Sequence, residues 1–136
     1  LSAELAWRML AMETGHWALR GYGRWIAEEK ATGLSVGMIG LFNPEGWLEI
    51  EIGWDLFNGF EGRGFATEAA LAARGYAYGT LGLKTVMSLV KPPNTASARV
   101  AERLGCVLEG TFRHERHGPM NVWRHPAPAA LKGGAA

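Results

Sequence analysis

Residues 47–69 read WLEIEIGWDLFNGFEGRGFATEA, and this stretch decides the fold. In its first ten residues, apolar side chains alternate with polar or small ones, which predicts a β-strand over Trp47 to Leu56. Three glycines within residues 58–64 then predict a tight loop. The alanine-rich sequence that follows predicts a helix from Phe65 to Leu81, closed by Gly82. Together they predict a strand, a glycine-rich loop and a helix that begins beside the end of the strand.

The period of two along the predicted strand divides its side chains between the two faces of the sheet. One face takes Leu48, Ile50, Ile52 and Trp54, and the other takes Glu49, Glu51, Gly53 and Asp55. A glycine inside a strand is typical of a bulge or of a close backbone approach, so Gly53 is a candidate for either.

The sequence before this unit predicts one helix and two strands. Ser2 can cap a helix that reaches Trp17 and is ended by Gly21 and Gly23. Strands are predicted over Trp25 to Lys30 and over Leu34 to Phe42. The turn signal Asn43-Pro44-Glu45-Gly46 then joins the second of them to the strand that starts at Trp47 as a hairpin.

The sequence after this unit predicts one more crossover. A strand over Thr85 to Val90 precedes a helix over Thr95 to Leu104. Shorter strand segments are expected at Cys106 to Leu108, Thr111 to Arg113 and Val122 to Arg124. The fold class is therefore α/β, with a mixed, mostly antiparallel sheet. Residues 1–126 are expected to form one domain, and residues 127–136, which are rich in Pro, Gly and Ala, a flexible tail.

The composition fits one globular domain and narrows the function classes. Of 136 residues, 48% are hydrophobic and 20% charged, close to the globular average. A net charge of +1 gives no basic field for nucleic acid. Cys106 is the single cysteine, so no internal disulfide is possible, and no apolar run approaches the roughly 20 residues that span a bilayer. We expect a cytoplasmic protein without nucleic-acid or membrane partners.

The glycine loop is a candidate anion site. A helix start leaves about four backbone N–H groups without partners and carries partial positive charge. Gly62 and Gly64 let the backbone close around phosphate oxygens, and Arg63 and Thr67 can add a cation and a hydroxyl. A plain glycine-rich turn is the alternative. Neither a Gly-Lys-Ser/Thr sequence nor a third glycine at Thr67 is present, so the loop is not that of a nucleotide hydrolase and is a poor dinucleotide fingerprint.

A second helix start follows the next strand. Asn94 can cap it, and Ser97 lies one turn inside. On its own this motif indicates no more than a helix cap. Two helix starts after adjacent strands, however, open at the same end of the sheet and frame one cleft, which is where open α/β sheets bind ligands.

These motifs resemble the GNAT N-acetyltransferase superfamily, and within it the branch of ribosomal-protein alanine N-acetyltransferases. The resemblance covers roughly residues 1–125 and is carried, in family order, by residues 51–54 (EIGW), 62–69 (GRGFATEA) and 94–105 (NTASARVAERLG). Family members usually begin with a further strand and helix, so we expect an N-terminally truncated domain. The exposed sheet edge that this would leave can pair with another chain, so monomer and homodimer both stay open.

The resemblance implies a site for acetyl-CoA as co-substrate and none for a metal. The pyrophosphate would lie on the loop, the pantetheine arm would pair with the strand like an extra strand, and Asn94 and Ser97 would contact the arm and the thiol. The implied cofactor residues are Ile52, Gly53, Trp54, Glu61, Gly62, Arg63, Gly64, Phe65, Ala66, Thr67, Asn94 and Ser97. Glu61 and Cys106 depart from the family pattern; a carboxylate at Glu61 is unfavourable near phosphates unless it points away.

The implied reaction is direct transfer of an acetyl group to a primary amine, either a protein N-terminus or a small amine. The amine must be neutral to attack, and the α-amino pKa is about 7.7–8.0. Glu51 is the candidate general base because it shares a face with Gly53, and Glu49 is the second choice. A solvated strand face or a salt bridge is the alternative for both. Ser97 is the candidate acid for the thiolate. A non-catalytic acyl-CoA-binding module is the alternative function.

Two further sets of residues draw attention. The spacing of His114, His117 and His125 fits no standard metal site, so surface or loop positions are expected. Trp25 and Trp54 are candidates to line an acceptor groove, and Cys106 is expected to be a small buried residue.

Overall fold

The computed structural model describes residues 2–134 and has the expected α/β architecture. The helices are α1 (Ala3–Arg20), α2 (Phe65–Gly75, continued by one π-helical turn, Tyr76–Thr80), α3 (Thr95–Arg103) and α4 (Pro128–Gly134). The strands are β1 (Arg24–Glu28), β2 (Ser35–Phe42), β3 (Glu51–Leu56), β4 (Met87–Val90), β5 (Val107–His114) and β6 (Gly118–Arg124).

The six strands form one sheet in the order β1-β2-β3-β4-β6-β5. All neighbouring strands are antiparallel except β3 and β4, which are parallel. These two share the single register pair Glu51↔Met87, whereas β2 and β3 pair continuously from Phe42↔Glu51 to Gly37↔Leu56. The sheet therefore opens between β3 and β4. The mixed, mostly antiparallel sheet predicted from the sequence is confirmed.

The core lies between the sheet and α2. Small alanines on one stripe of α2 allow close packing on the strands, and Ala70 and Ala77 are fully buried there. Against them pack buried strand residues such as Leu41 and Ile52. Cys106 belongs to the same core cluster, which confirms it as a small buried residue, and burial raises the pKa of its thiol to about 11.

The opposite side of the sheet is anchored to α1 by two buried polar residues. Glu13 accepts hydrogen bonds from Arg24 at the start of β1. The ring of His16 stacks on Phe42 at 5.5 Å and accepts a hydrogen bond from the backbone N–H of Asn43 at 2.9 Å. The Ser2 cap and the Gly21 stop of α1 are both as predicted.

Several predicted boundaries are wrong, for local reasons. β3 starts at Glu51 and not at Trp47, because its backbone pairing with β2 begins only at Phe42↔Glu51. The helix after the loop leaves α-helical geometry at Gly75, where Gly75 and Gly79 weaken it. The two strand segments predicted over residues 106–113 form the one strand β5, with a register shift between Leu108 and Gly110.

Two further predictions concern a bulge at Gly53 and the C-terminal residues. β2 and β3 keep their register through Gly53, so no bulge lies there. Within the stretch predicted to be a flexible tail, Pro128–Gly134 form α4, and residues 135–136 lie outside the described residues.

Candidate active site

The glycine loop and the start of α3 face each other across a cavity of about 390 Å³, here called the loop cavity. Its walls come from the end of β3, the loop, the first turn of α2 and one side of α3. Of the predicted cofactor residues, the structure brings together here Trp54, Glu61, Gly62, Gly64, Ala66, Thr67, Asn94 and Ser97.

The backbone at the start of α2 is shaped to meet an anion. Gly64 is the N-cap residue at φ 86°, and no side chain caps the helix. Gly62 also has a positive φ, 75°, which disfavours any residue with a Cβ. No atom lies within 4 Å of where a Cβ at Gly62 or Gly64 would stand. The first N–H groups of α2 therefore face open space at the positive end of the helix.

Two predicted loop side chains, Arg63 and Phe65, do not line this cavity. The guanidinium of Arg63 pairs with Glu29 and lies 4.8 Å from the centre of the Phe65 ring. Glu61 does line the cavity, and its carboxylate accepts a hydrogen bond from the backbone N–H of Gly59 at 2.9 Å. This hydrogen bond ties the carboxylate to its own loop.

The positive charge of the loop cavity comes instead from α3. Arg99 and Arg103 both line it, together with Ala96 and Val100. Residues three and four apart lie on one face of a helix, so the sequence spacing of these four residues already put them on the same face of α3. Neither arginine was among the predicted site residues, because only Asn94 and Ser97 at the start of this helix were considered as ligand contacts.

The cap of α3 sets the position of Asn94 and Ser97. The side-chain oxygen of Asn94 accepts the backbone N–H of Ser97 at 3.1 Å, which leaves the amide nitrogen of Asn94 for other partners. Both residues also line a second cavity, as do Trp54 and Asp55. The two cavities therefore meet at the start of α3.

The second cavity, here called the strand cavity, has about 400 Å³ and lies at the opening between β3 and β4. It contains the remaining predicted residues Glu51, Ile52 and Gly53. A Cβ on Gly53 would stand 3.8 Å from the Glu51 carboxylate and 3.9 Å from the Arg24 guanidinium, which are ordinary contacts. Beyond Glu51↔Met87 no register pair links β3 to β4 in the described chain, so the edge of β3 is open towards this cavity.

Glu51 is buried at the junction of the two strands, with 6% of its surface exposed. One carboxylate oxygen accepts the backbone N–H of Leu89 on β4 at 2.7 Å, and the other accepts the indole N–H of Trp47 at 3.0 Å. Burial raises the pKa of Glu51 to about 7, and it does so against these two hydrogen bonds and the charge of Arg24, which favour the carboxylate. The side chain can therefore exchange a proton near neutral pH.

The rest of the strand cavity is mainly apolar and aromatic. α1 contributes Met9 and Met12, the β2–β3 connection contributes Trp47, and the sheet contributes Phe42, Trp54, Leu89, Val90 and Met120. The charged residues are Arg24, Lys91, Asp55 and Glu51. Arg24 is bonded to Glu13 and, at 2.7 Å, to Asp55, and its guanidinium lies 4.7 Å from the centre of the Phe42 ring. Two carboxyl groups and two basic side chains therefore line the strand cavity.

Two other predicted candidates lie elsewhere. Glu49 forms a bidentate ion pair with Arg124, at 2.6 and 2.9 Å, and lines neither cavity. Trp25 packs against Trp17 and Tyr76 on the α2 side and does not line the strand cavity. Tertiary packing of a strand edge decides this, and no local pattern shows it.

The histidines match the expectation of surface or loop positions only in part. His117 is exposed in the turn between β5 and β6, and His125 follows β6 outside any strand, whereas His114 ends β5. His114 and His125 are buried, with 7% and 2% of their surfaces exposed, and each accepts a hydrogen bond at Nδ1 from within the fold. His117 is exposed at the rim of the strand cavity, and burial of its ring and the nearby His114 lower its pKa. No group of three or more His, Cys, Asp or Glu in residues 2–134 is placed to hold a metal ion.

Over the same described range, no helix is long and apolar enough to cross a membrane.

The sequence comparisons agree with the fold. A family profile for the acetyltransferase (GNAT) domain matches residues 1–107. The uncharacterized protein YkkB of Bacillus subtilis (strain 168) is 37% identical over 98 residues, which are 69% of this chain and 57% of the relative. The chain therefore spans little more than half the length of this curated relative.

Solved structures share the architecture. An acetyltransferase from Agrobacterium tumefaciens str. C58 superposes with a TM-score of 0.81 at 35% identity, over 93% of this chain and 73% of that one. The ribosomal-protein-S5-alanine acetyltransferase of Vibrio fischeri has the same fold, with a TM-score of 0.71 at 15% identity, over 90% and 71% of the two chains. With the sheet opening, the glycine loop and the profile match in agreement, the chain belongs to the GNAT acetyltransferase family.

Proposed function

We propose that this domain transfers an acetyl group from acetyl-CoA to a primary amine, with Glu51 as the general base. The observation that carries the proposal is the buried Glu51 carboxyl, which lies in a cavity that joins the loop cavity at Asn94 and Ser97. One cavity can hold the phosphates of the cofactor, the other can hold the amine, and the proton acceptor faces the second.

The loop cavity supports cofactor binding through backbone and charge. The uncapped N–H groups at the start of α2 are suited to pyrophosphate oxygens, and the space above Gly62 and Gly64 is free. Arg99 and Arg103 supply cations on the facing wall. The open edge of β3 offers backbone groups to the amides of the pantetheine arm, and the free amide nitrogen of Asn94 lies beside that route.

The reaction needs one proton acceptor and one proton donor. The neutral amine nitrogen attacks the thioester carbonyl carbon, and a C–N bond forms while the C–S bond breaks. The proton lost by the amine passes to the carboxylate of Glu51, directly or through one water. The thiolate that leaves takes a proton from the hydroxyl of Ser97, which solvent restores. Backbone N–H groups on the open edge of β3 polarise the carbonyl.

The walls of the strand cavity favour an amine with an apolar group beside it. Met9, Met12 and Met120 offer adaptable apolar contacts, and Trp47 and Trp54 offer flat ones. Of the two carboxyl groups that line the cavity, Asp55 is held in an ion pair with Arg24, which leaves Glu51 as the one without an ion-pair partner among the described residues. A protein N-terminus or a small monoamine therefore fits better than a polyamine.

Calorimetric titration with acetyl-CoA tests the cofactor site. The parent should bind saturably, and Gly64→Asp should abolish binding because it adds a carboxylate at the phosphate position. Gly33→Asp is the matched control, since Gly33 has φ 75° and open space around it but lies away from both cavities. Asn94→Ala should weaken binding. A folded parent that does not bind acetyl-CoA, or equal losses in the two aspartate variants, contradicts the site.

Turnover separates an enzyme from a non-catalytic acyl-CoA-binding module, because both bind the cofactor. Release of the CoA thiol is followed with a panel of amines: an alanine-initiated peptide, a small arylalkylamine and spermidine. The proposal expects thiol release with the first two acceptors above the rate with spermidine. Binding without acceptor-dependent thiol release would support the binding module instead.

A further inference from the structure

Three buried polar side chains lie on the face of β3 that is opposite to Glu51, and the proposed chemistry uses none of them. Arg74 of α2, Ser88 of β4 and His125 after β6 have only 5%, 1% and 2% of their surfaces exposed. Buried polar groups are retained at a cost in desolvation, which hydrogen bonds must offset. Their bonding therefore shows what they hold in place.

The hydrogen bonds run in one direction, from α2 to the edge of β3. A guanidinium can only donate, so Arg74 Nη1 donates to His125 Nδ1 at 3.2 Å. The proton of the imidazole is then assigned to Nε2, which donates to Ser88 Oγ at 2.8 Å. The hydroxyl of Ser88 in turn donates to the backbone carbonyl of Ile52 at 2.6 Å.

The first member of this chain is also bound to α3. Arg74 Nη1 donates to the carbonyl of Leu104, the C-cap residue of α3, at 2.6 Å. No carboxylate lies within ion-pair distance of Arg74 in the described residues 2–134, so the negative end of α3 is its charge partner. Burial and the neighbouring Arg74 lower the pKa of His125 to about 3, so the imidazole stays neutral and the chain stays intact at neutral pH.

The chain connects four of the elements that wall the cleft, α2, α3, β3 and β4. α2 and α3 carry the two helix starts of the loop cavity, and β3 and β4 are the two sides of the sheet opening. Ile52 follows Glu51, the last residue of β3 that pairs with β4, and Ile52 is fully buried. A backbone bond from β4 to its carbonyl would extend the ladder and close the opening. The Ser88 hydroxyl satisfies that carbonyl without a further backbone pair.

We infer that Arg74, His125 and Ser88 form a positioning chain for acetyl-CoA, which fixes the separation of β3 and β4 at the point where the cofactor arm enters. The inference rests on the proposed function. Backbone groups two residues apart in a strand point to the same edge, so the groups of Trp54 face the same opening as the Ile52 carbonyl. Holding Ile52 to Ser88 therefore sets where Trp54 presents its N–H and C=O to the arm.

Acetyl-CoA affinity and steady-state kinetics of Ser88→Ala test the chain. The Kd and the KM for acetyl-CoA should rise about tenfold, as loss of one buried hydrogen-bond network implies, while kcat at saturating acetyl-CoA and the KM for the amine change less than about twofold. Val36→Ala is the matched control, because Val36 is fully buried in β2 away from both cavities. It should lower thermal stability and leave the KM for acetyl-CoA unchanged.

Two replacements of His125 locate the effect within the chain. Gln can place its amide nitrogen near the position of Nε2 and donate to Ser88, so His125→Gln should keep the KM within about threefold of the parent. Asn reaches only the position of Nδ1, so His125→Asn should match Ser88→Ala. If Ser88→Ala does not fold, Ser88→Cys, which keeps the shape with a weaker donor, replaces it with an expected smaller rise in KM.

Each result bears on one of two propositions. A parent that binds acetyl-CoA together with Ser88 and His125 variants that bind it equally well overturns the positioning chain alone. Equal rises in KM for Val36→Ala and Ser88→Ala also overturn it, since general loosening would then explain both. A folded parent that does not bind acetyl-CoA overturns the proposed function and this inference with it.

Discussion

β3 and β4 are bridged by side chains on both faces of the sheet, and the two bridges differ in chemistry. On the α1 face, the Glu51 carboxylate accepts the backbone N–H of Leu89 and lines an open cavity. On the α2 face, Ser88 donates to the carbonyl of Ile52 and is itself held by His125, within a closed core. The face that opens to a cavity holds the group able to gain or lose a proton, and the closed face holds groups whose protons are fixed.

Burial shifts the pKa values of Glu51 and His125 in opposite directions. Desolvation disfavours the charged form, so it raises the pKa of Glu51 to about 7 and lowers the pKa of His125 to about 3. An acid with a pKa near 7 exchanges protons under working conditions, whereas a histidine with a pKa near 3 does not. This difference supports the two proposed roles, proton transfer for the Glu51 bridge and positioning for the Ser88 bridge.

The largest expected effect is that of Glu51→Gln. Loss of the general base should lower kcat/KM for the amine by about 100-fold or more, while the Kd for acetyl-CoA changes less than about twofold. Activity of the parent should rise with pH through an apparent pKa of about 7, because only the carboxylate accepts a proton. With an α-amino acceptor it should rise further through the pKa of that amine, about 7.7–8.0, because only the neutral amine attacks. Steady-state rates from pH 5.5 to about 9 measure both.

Glu49→Gln is the matched control for that variant. Glu49 pairs with Arg124 and lines neither cavity, so its replacement should leave kcat/KM close to that of the parent. A Glu51→Gln variant that keeps full activity, or that keeps the inflection near pH 7, would remove Glu51 from the chemistry and erase the proposed difference between the two bridges.

The pH dependence of stability should differ in sign between the bridges. Between its ordinary pKa of 4.5 and about 7, Glu51 keeps a proton in the folded state that the unfolded chain releases, so its contribution falls as pH rises. Between about 3 and its ordinary value of 6.5, His125 binds a proton only when unfolded, so its contribution is lost as pH falls. From pH 4.5 to 6.5 the two contributions oppose each other.

Single variants should therefore separate the two slopes. In this window Glu51→Gln should become more stable as pH rises, and His125→Gln less stable, each by up to about 1.4 kcal/mol per pH unit relative to the parent. Urea unfolding at three pH values across the window measures the free energy of unfolding. Parallel curves for the parent and both variants would show that the two environments do not differ as described.

A smaller effect is expected from Trp47→Phe. The indole N–H stabilises the Glu51 carboxylate, so its loss should raise the pKa of Glu51 and move the inflection of the rate profile to higher pH by up to about one unit. The plateau rate should stay within about threefold of the parent. Trp7→Phe, at a residue with 70% of its surface exposed on α1, is the control and should not shift the profile. A shift to lower pH would contradict the assigned hydrogen bond.

Local sequence was a good guide where one element contains the whole signal. The glycines at residues 62 and 64 predicted a tight loop, and both have positive φ in it. The pattern of residues 47–56 predicted a strand that puts Glu51 and Ile52 on opposite faces. Asn94 predicted the cap of α3, and the cap is present. Caps, turns and face alternation depend on neighbours within a few residues, so sequence alone carries them.

Contacts between distant parts of the chain were out of reach for the same reason. Arg63 turns to Glu29, 34 positions away, and Arg99 and Arg103 take its place at the loop cavity. Glu49 forms an ion pair with Arg124, 75 positions away, so Glu51 is the one of these two glutamates that lines the strand cavity. His125, expected in a surface or loop position, lies outside the strands but is buried, because its partners Arg74 and Ser88 come from α2 and β4.

The sequence by itself therefore determined the order of elements, the two helix starts and the strand that carries the candidate base. Tertiary structure alone decided that β3 and β4 separate after Glu51↔Met87, that a carboxylate bridges one face of the opening, and that Arg74, His125 and Ser88 bridge the other. The pKa values that distinguish the two bridges come from burial and from partners up to 51 positions apart. Desolvation and long-range hydrogen bonds exist only once the chain has closed on itself, which is why the fold could be predicted and the bridges could not.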